Sequence, residues 1–163
     1  MIPGFTLRPI ALEDNASMAR IIRDALTELG ANKPGTVFYD DSTDHLFELF
    51  QAQERAAYWV AEKDGMVVGG AGIYPTDGLP ATTCELVKMY LSPAVRGLGL
   101  GHNMIDHCLQ EAKAIGFTQV YLETMPELKQ AVKVYEKFGF SYLQGPMGNS
   151  GHNGCDIWML KTL

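Results

Sequence analysis

Val87-Lys88-Met89-Tyr90-Leu91-Ser92-Pro93-Ala94-Val95-Arg96-Gly97-Leu98-Gly99-Leu100-Gly101 is the stretch that decides the fold. It reads as a strand, a tight turn at Ser92-Pro93, and a glycine-rich loop opening an amphipathic helix. Glycines at 97, 99 and 101 remove side chains where the backbone must come close to something. The helix N-terminus that follows gathers unpaired N–H groups and the positive end of the macrodipole. Such a constellation holds an anion, most often a phosphate. Arg96 adds a cation just before it.

Downstream, Leu100, Met104, Ile105, Cys108, Leu109, Ala112 and Ile115 recur at helical spacing until Gly116. Gln119–Glu123 reads as a strand. Thr124-Met125-Pro126-Glu127 reads as a capping box with proline in the first turn. The helix it starts would bury Leu128, Ala131, Val132, Tyr135 and Phe138 and stop at Gly139. Phe140–Leu143 and Cys155–Leu160 read as the last strands, separated by a Gly- and Asn-rich loop, Gln144–Gly154. Upstream, Phe5–Ile10 is a strand, and a helix from Glu13-Asp14 to Gly30 buries Met18, Ile22, Ala25, Leu26 and Leu29. A second helix, at 43–55, turns Leu46, Leu49 and Phe50 inward. Tyr58–Glu62 and Met66–Tyr74 form a hairpin around Asp64-Gly65. Gly69, Gly70 and Gly72 inside its second strand signal a bulge or a close backbone approach. Cys84–Leu91 completes an order β-α-α-β-β-β-α-β-α-β-β, a mixed α/β sheet.

At 163 residues the chain is expected to form a single domain, 1–163. No apolar run is long enough for a membrane span, and the start lacks the basic and apolar regions of a signal peptide. Three scattered cysteines, Cys84, Cys108 and Cys155, favour reduced thiols and a cytoplasmic location over disulfides or zinc. His45, His102 and His107 share no ligand spacing, so no metal is expected. Residues 84–143 carry six basic and six acidic side chains, so the whole net charge of −6 lies outside them. Without a basic stripe, nucleic acid is not an expected partner. An anionic ligand in the neutral half and a cationic one near the acidic half would fit.

A dinucleotide fold competes for the glycines, with Glu123 placed where a ribose-binding acid would sit. Against it, His102 stands where G-x-G-x-x-G needs its third glycine, and five residues separate the strand from Gly97. A Walker loop lacks its G-K-[ST]. Arg96-x-x-Gly99-x-Gly101 after Met89-Tyr90-Leu91-Ser92-Pro93 instead resembles the acetyl-CoA signature of the GNAT N-acetyltransferase superfamily. Ala131-Val132-Lys133-Val134-Tyr135-Glu136-Lys137-Phe138-Gly139-Phe140 resembles that family's closing helix–strand segment, although Pro126-Glu127 stands where an Asn is often found.

The resemblance implies a GNAT-like, mostly antiparallel central sheet flanked by about four helices. It implies that backbone N–H groups of Arg96, Gly97, Leu98, Gly99, Leu100 and Gly101 wrap the CoA pyrophosphate. Met89 and Leu91, with Tyr90 between them, would pair through their backbone with the pantetheine arm as an added strand. His102, Thr124, Lys129, Tyr135 and Lys137 complete the implied cofactor contacts. Tyr135 matches the family tyrosine that points at the CoA sulfur, which makes it the candidate acid. It also lies on the apolar stripe of its helix, so core packing is its other reading. Glu85, eleven residues before Arg96, matches the general-base glutamate of the histone acetyltransferase branch. Bound water and backbone carbonyls are the alternative base.

Acetyl transfer to an amine needs such a base, because an alkyl ammonium with a pKa near ~10 cannot attack while protonated. The expected activity is acetyl-CoA-dependent transfer to the primary amine of a small molecule. A protein acetyltransferase and a non-catalytic acyl-CoA-binding module remain alternatives. Asp40, Asp41, Asp44 and Glu48 read as a solvated helix start, or as one wall for a cationic acceptor. His152 reads as part of an exposed polar hairpin loop or, within Gly151–Asp156, as a border of the acceptor site. Specificity is expected in the loops at 31–44, 75–83 and 144–154. A homodimer could form through the last strand and the loop at 144–154.

Overall fold

Alternation along one strand sets up both layers. In β2 (Ala57–Lys63), Trp59 and Ala61 turn to one face, while Tyr58 and Val60 turn to the other. This structure, a computed structural model, describes residues 2–163. Its other strands are β1 (Phe5–Pro9), β3 (Met66–Tyr74), β4 (Thr83–Leu91), β5 (Gln119–Thr124), β6 (Ser141–Leu143) and β7 (Ile157–Thr162). The helices are α1 (Asn15–Glu28), α2 (Leu46–Gln51), α3 (Leu100–Ile115) and α4 (Lys129–Lys137). The chain order is the expected one. The sheet runs β1-β2-β3-β4-β5-β7-β6, with β4/β5 as its parallel pair and the remaining neighbours antiparallel. Met104, Ile105 and Cys108 of α3 and Tyr135 of α4 pack on the Trp59 face. Met18, Ile22 and Leu26 of α1 and Leu46 and Phe50 of α2 pack on the Tyr58 face.

Several boundaries move, each for a local reason. Thr124 does not cap α4. It completes β5 opposite Ile157, so its backbone belongs to the ladder and the helix starts only at Lys129. Glu127 pairs instead with Lys33 at 2.7 Å. The predicted helix at 43–55 shrinks to α2, preceded by a 3-10 turn at Asp41–Asp44. The Thr43 hydroxyl is buried there and donates to Val37 O at 2.6 Å, and His45 (φ −134°) breaks the helix. The last strand lies two residues later than predicted. It is also flanked on both sides, by β5 and β6, so it offers no open edge over residues 158–160 for pairing with a second copy.

The hairpin signal holds. Asp64 and Gly65 both have positive φ, as the tight turn between Lys63 and Met66 requires. Both readings of the strand glycines are realised. The β2/β3 register shifts beside Ala61, and the β3/β4 register shifts between Gly70 and Gly72. At the second shift Lys88 and Met89 of β4 together face Ala71, a bulge in which Lys88 adopts φ +53°. The glycines also make room for the Tyr58 ring. A Cβ at Gly70 would stand 2.6 Å from Tyr58 Cε1. One at Gly72 would stand 2.5 Å from Tyr58 Cδ2 and 2.7 Å from Ala57 O. Lying in that space, Tyr58 donates its hydroxyl to Lys88 O at 2.7 Å and ties β2 to the bulge.

Because Ala57 O is backbone and cannot step aside, Gly72→Ala is expected to destabilise by roughly 1–3 kcal/mol. That lowers Tm by about 3–10 °C for a chain of this size. Gly145→Ala, with nothing within 4 Å of the new Cβ, should leave Tm nearly unchanged. Equal melting of the two variants would show that the ring does not fill that space.

Candidate active site

β4 and β5 stay paired only from Thr83–Glu85 to Gln119–Tyr121. Beyond that point β4 follows β3 to Leu91 and β5 follows β7 to Thr124, so the two strands part company at Glu85. The fork opens a cleft in the middle of the sheet, and the bulge at Lys88-Met89 bends β4 within it.

The glycine loop sits at the far end of β4. Gly97 (φ +77°) and Gly99 (φ +85°) are both left-handed, which explains glycine at these two places. α3 begins at Leu100, and its first intrahelical acceptor is Gly99 O, bonded by Asn103 N–H at 3.1 Å. The N–H groups of Leu100, Gly101 and His102 therefore have no intrahelical partner. Space beside Gly97 is open, and a Cβ at Gly101 would meet only Leu91 and Met89 side chains at 3.5 and 3.7 Å. These amides suit an anion such as a pyrophosphate. Arg96 does not reach into that space alone. Its Nε and Nη2 donate to Leu91 O at 3.2 and 3.1 Å, and its Nη1 to Glu28 at 2.8 Å. It closes the loop onto the strand end and onto α1. Leu98 is exposed, and the exposed His102 ring stacks on Phe138 with centroids 4.5 Å apart.

Between the parted strands lies a cavity of about 50 Å³ lined by Glu85, Lys88, Tyr90, Glu123 and His152, with Val37 and Leu128. Glu85 is buried and accepts a hydrogen bond from Thr76 Oγ1 at 2.5 Å. Burial lifts its carboxyl to about 7, and the Thr76 bond and nearby cations offset only part of that. Glu123 accepts from the Tyr121 hydroxyl at 2.6 Å and from Ser150. His152 is only 15% exposed at its side chain. Its Nε2 lies 2.6 Å from Asp40 Oδ2 and its Nδ1 4.0 Å from Glu123 Oε1. Burial is the largest single influence on the Asp40 carboxylate and pushes it up, but the His152 hydrogen bond and the charges of His152 and Lys88 together outweigh it and hold the group below the usual range. Burial lowers the Lys88 ammonium.

The structure thus brings Glu85 and Tyr90 into the cavity, whereas the side chains of Met89 and Leu91 pack on the Trp59 face, toward Gly101. Tyr135 is buried in the core beneath α4 with its ring against Phe140, and burial pushes its phenol up. Thr124 is buried at the end of β5 and its Oγ1 has no partner. Lys129 and Lys137 stand exposed at the two ends of α4. His152 and Asp40 overturn their predicted settings, an exposed hairpin and a solvated helix start. They meet across 112 residues of sequence, a pairing no local pattern signals. Asp44 is likewise paired, to Arg23 at 2.6 Å. Lys88 and Glu123 line the cavity and Thr76 bonds Glu85 from beside it, and the sequence reading gave none of the three such a role. The three loops expected to set specificity do meet here. Gly154 N–H donates to Gly35 O at 2.8 Å, and Asn149 N–H to Asp77 O at 2.7 Å.

A sequence profile described as the Acetyltransferase (GNAT) family matches residues 19–140. An uncharacterized N-acetyltransferase, YjgM, of Escherichia coli K12 is 41% identical over 159 residues, 96% of this chain and 94% of that protein. An IAA acetyltransferase of Azospirillum brasilense is 31% identical over 127 residues, 77% of this chain and 80% of that protein. In three dimensions, a GNAT-family acetyltransferase from Staphylococcus aureus gives a TM-score of 0.85 at 15% identity, covering 98% of this chain and 99% of that one. A putative acetyltransferase, yncA, from Salmonella typhimurium was solved with its cofactor acetyl-CoA. It gives 0.76 at 22% identity, covering 98% of this chain and 94% of that one.

The Glu85 environment makes a prediction about stability. Its carboxyl titrates near 7 when folded and near the ordinary 4.5 when unfolded. Between those values the folded state holds the extra proton, so stability is lost as pH rises through that window. Glu85→Gln mimics the protonated acid at every pH. It should match the parent below pH ~4.5 and exceed it by on the order of 2–3 kcal/mol at pH ~8, read as Tm across the range. A variant that melts below the parent at pH ~8 would mean that the ionised carboxylate is the favoured form.

Proposed function

The chain belongs to the GNAT acetyltransferase family, and we propose that it moves an acetyl group from acetyl-CoA to the primary amine of a small molecule. The observation that carries this reading is the juxtaposition of an anion-ready loop at one end of β4 with a buried, high-pKa carboxylate at the fork where β4 leaves β5. The glycine cradle and free amides of the α3 N-terminus fit a pyrophosphate. The parted β4 strand fits an extended arm laid beside Met89 and Leu91. Acetyl-CoA brings a thioester, an activated acyl group, to the cleft.

The residues then divide the proton work. An acceptor amine enters as an ammonium, which the acidic cavity wall of Glu85 and Glu123 attracts. Glu85, with its carboxyl near 7, takes the proton and frees the nitrogen lone pair. The N–C bond forms as the C–S bond breaks, Tyr135 donates its proton to the departing sulfur so that CoA leaves as the thiol, and the second proton shed by the nitrogen restores the phenol. A thiolate in such surroundings is itself a stronger base than in water. Burial pushes the chain's own Cys84 and Cys155 thiols up to about 12. The same burial keeps those thiols protonated and inert, which supports direct attack over an acyl-enzyme. The cross-bonded loops narrow the acceptor end, which favours a small molecule over an extended polypeptide.

Mixing the protein with acetyl-CoA and a panel of primary amines should release CoA, with kcat/KM rising with pH through about 7 as Glu85 ionises. Gly99→Val forces a β-branched residue into φ +85° and should raise the KM for acetyl-CoA steeply while the fold persists. Tight CoA binding without turnover for any amine would favour a binding module.

Tyr135→Phe separates acid from packing. The ring and its buried contacts remain, so Tm should hold. Loss of the hydroxyl should lower kcat on the order of a hundredfold with little change in the KM for acetyl-CoA. Turnover at the parent rate would make Tyr135 a core residue and water the donor.

A further inference from the structure

Lys88 is the cation in the cavity that the transfer reaction does not use. It lines the cavity with Glu85, Glu123 and His152. The acids around it are engaged elsewhere: Glu85 with Thr76, Glu123 with Tyr121 and Ser150, and Asp40 with His152. Among the described residues its ammonium makes no ion pair and no hydrogen bond. A half-buried ammonium in that position lacks the partner that such a charge normally has. Its backbone is left-handed, at φ +53°, where glycine would sit without strain. The β4 bulge imposes that conformation, and strained residues of this kind cluster at functional sites.

We propose that Lys88 binds a carboxylate on the acceptor, so that the acceptor is an α-amino acid or a close analogue with amine and carboxylate on neighbouring atoms. The inference rests on reading the cavity as the acceptor site. The charge layout is that of a zwitterion's complement. Acids at the fork, Glu85 and Glu123, face the ammonium, and Lys88, three residues further along β4, faces the carboxylate. A plain diamine would bring a second positive charge toward Lys88 and lose there what it gains at Glu85. A dipeptide carries its carboxylate several bonds farther from the amine, so on this proposal it fits the pair of Glu85 and Lys88 less well.

The test compares substrates in pairs. CoA release from acetyl-CoA is measured with each common L-amino acid, its decarboxylated amine and its glycyl-extended dipeptide. At least one amino acid should exceed its decarboxylated amine by on the order of a hundredfold in kcat/KM, the scale of a lost buried charge partner. Its dipeptide should also fall well below it. Lys88→Gly removes the ammonium and relieves the backbone strain, so it should melt no lower than the parent. The amino-acid preference should shrink at least tenfold in it. Lys88→Met, which keeps the length of the side chain without its charge, should behave the same way.

Decarboxylated amines that match or beat their amino acids would overturn the inference while leaving acetyl transfer to amines intact. So would a Lys88→Gly variant that raised the KM for acetyl-CoA and kept the amino-acid preference, which would assign the lysine to the cofactor. Dipeptides that outrun free amino acids would place the carboxylate site farther out and sink it too. Failure of every amine in the panel would remove the transfer reading and the inference together.

Discussion

The hydrogen bond from the Tyr58 hydroxyl to Lys88 O, 2.7 Å long, is the contact on which the site depends. It crosses beneath β3, from β2 to β4, and it exists only because Gly70 and Gly72 leave the ring a place to lie. The carbonyl it holds belongs to the bulge. Without a partner, that buried group would favour regular pairing of β4 with β3 and a relaxed Lys88. With β4 bent and β5 held by β7, the two strands diverge after three paired residues. The cleft, the position of Glu85 at its apex and the exposure of the β4 backbone all follow from that divergence. A sheet normally hides its middle; here a bulge makes the middle accessible.

Charge in the cleft is arranged by burial rather than by net composition. Glu85 is lifted by desolvation, while Asp40, despite its own burial, is held down by His152. A carboxyl lining the cavity and one held behind the cavity's His152 therefore shift in opposite directions from their ordinary values, so the first can take up a proton where the second stays a fixed negative charge. Asp40 serves as an anchor. It fixes His152, and through it the loop from Met147 to Cys155, whose Ser150 and Met147 in turn hold Glu123 and Tyr121.

Periodicity and glycine placement made the element order, most of the core stripes, the hairpin and the glycine loop legible in the sequence, although Leu29, expected inside, is exposed. Those features are local, set within a turn or two of the chain. The proposals for Glu85 and Tyr135 came from a family pattern that places them relative to the glycine loop. What sequence did not disclose is non-local. Nothing around His152 announces Asp40, which lies 112 residues away, and nothing around Lys88 announces a left-handed backbone. The capping box failed for a related reason. Thr124-Met125-Pro126-Glu127 satisfies the local rule, but the ladder between β5 and β7 claims Thr124 first. The one hint available was the glycine triplet in β3, which signalled a bulge without saying which strand would carry it.

The division between frame and loops explains why the reaction type is easier to derive than the acceptor. The cofactor side is built from a helix terminus, a strand edge and left-handed glycines, all fixed by backbone geometry that many side-chain sequences can satisfy. The proposed acceptor side is formed by the loops at 31–44, 75–83 and 144–154, joined by backbone bonds such as Gly154 to Gly35 and Asn149 to Asp77. Close approach at Gly35, Gly78 and Gly148 locks those loops together, since a Cβ at each would strike the neighbouring loop within 3 Å. Their side chains can then change the cavity without moving its walls. Selection acting on acceptor preference therefore has a rigid mount and a free lining, and Lys88 stands where the two meet: its backbone belongs to the frame and its ammonium to the lining.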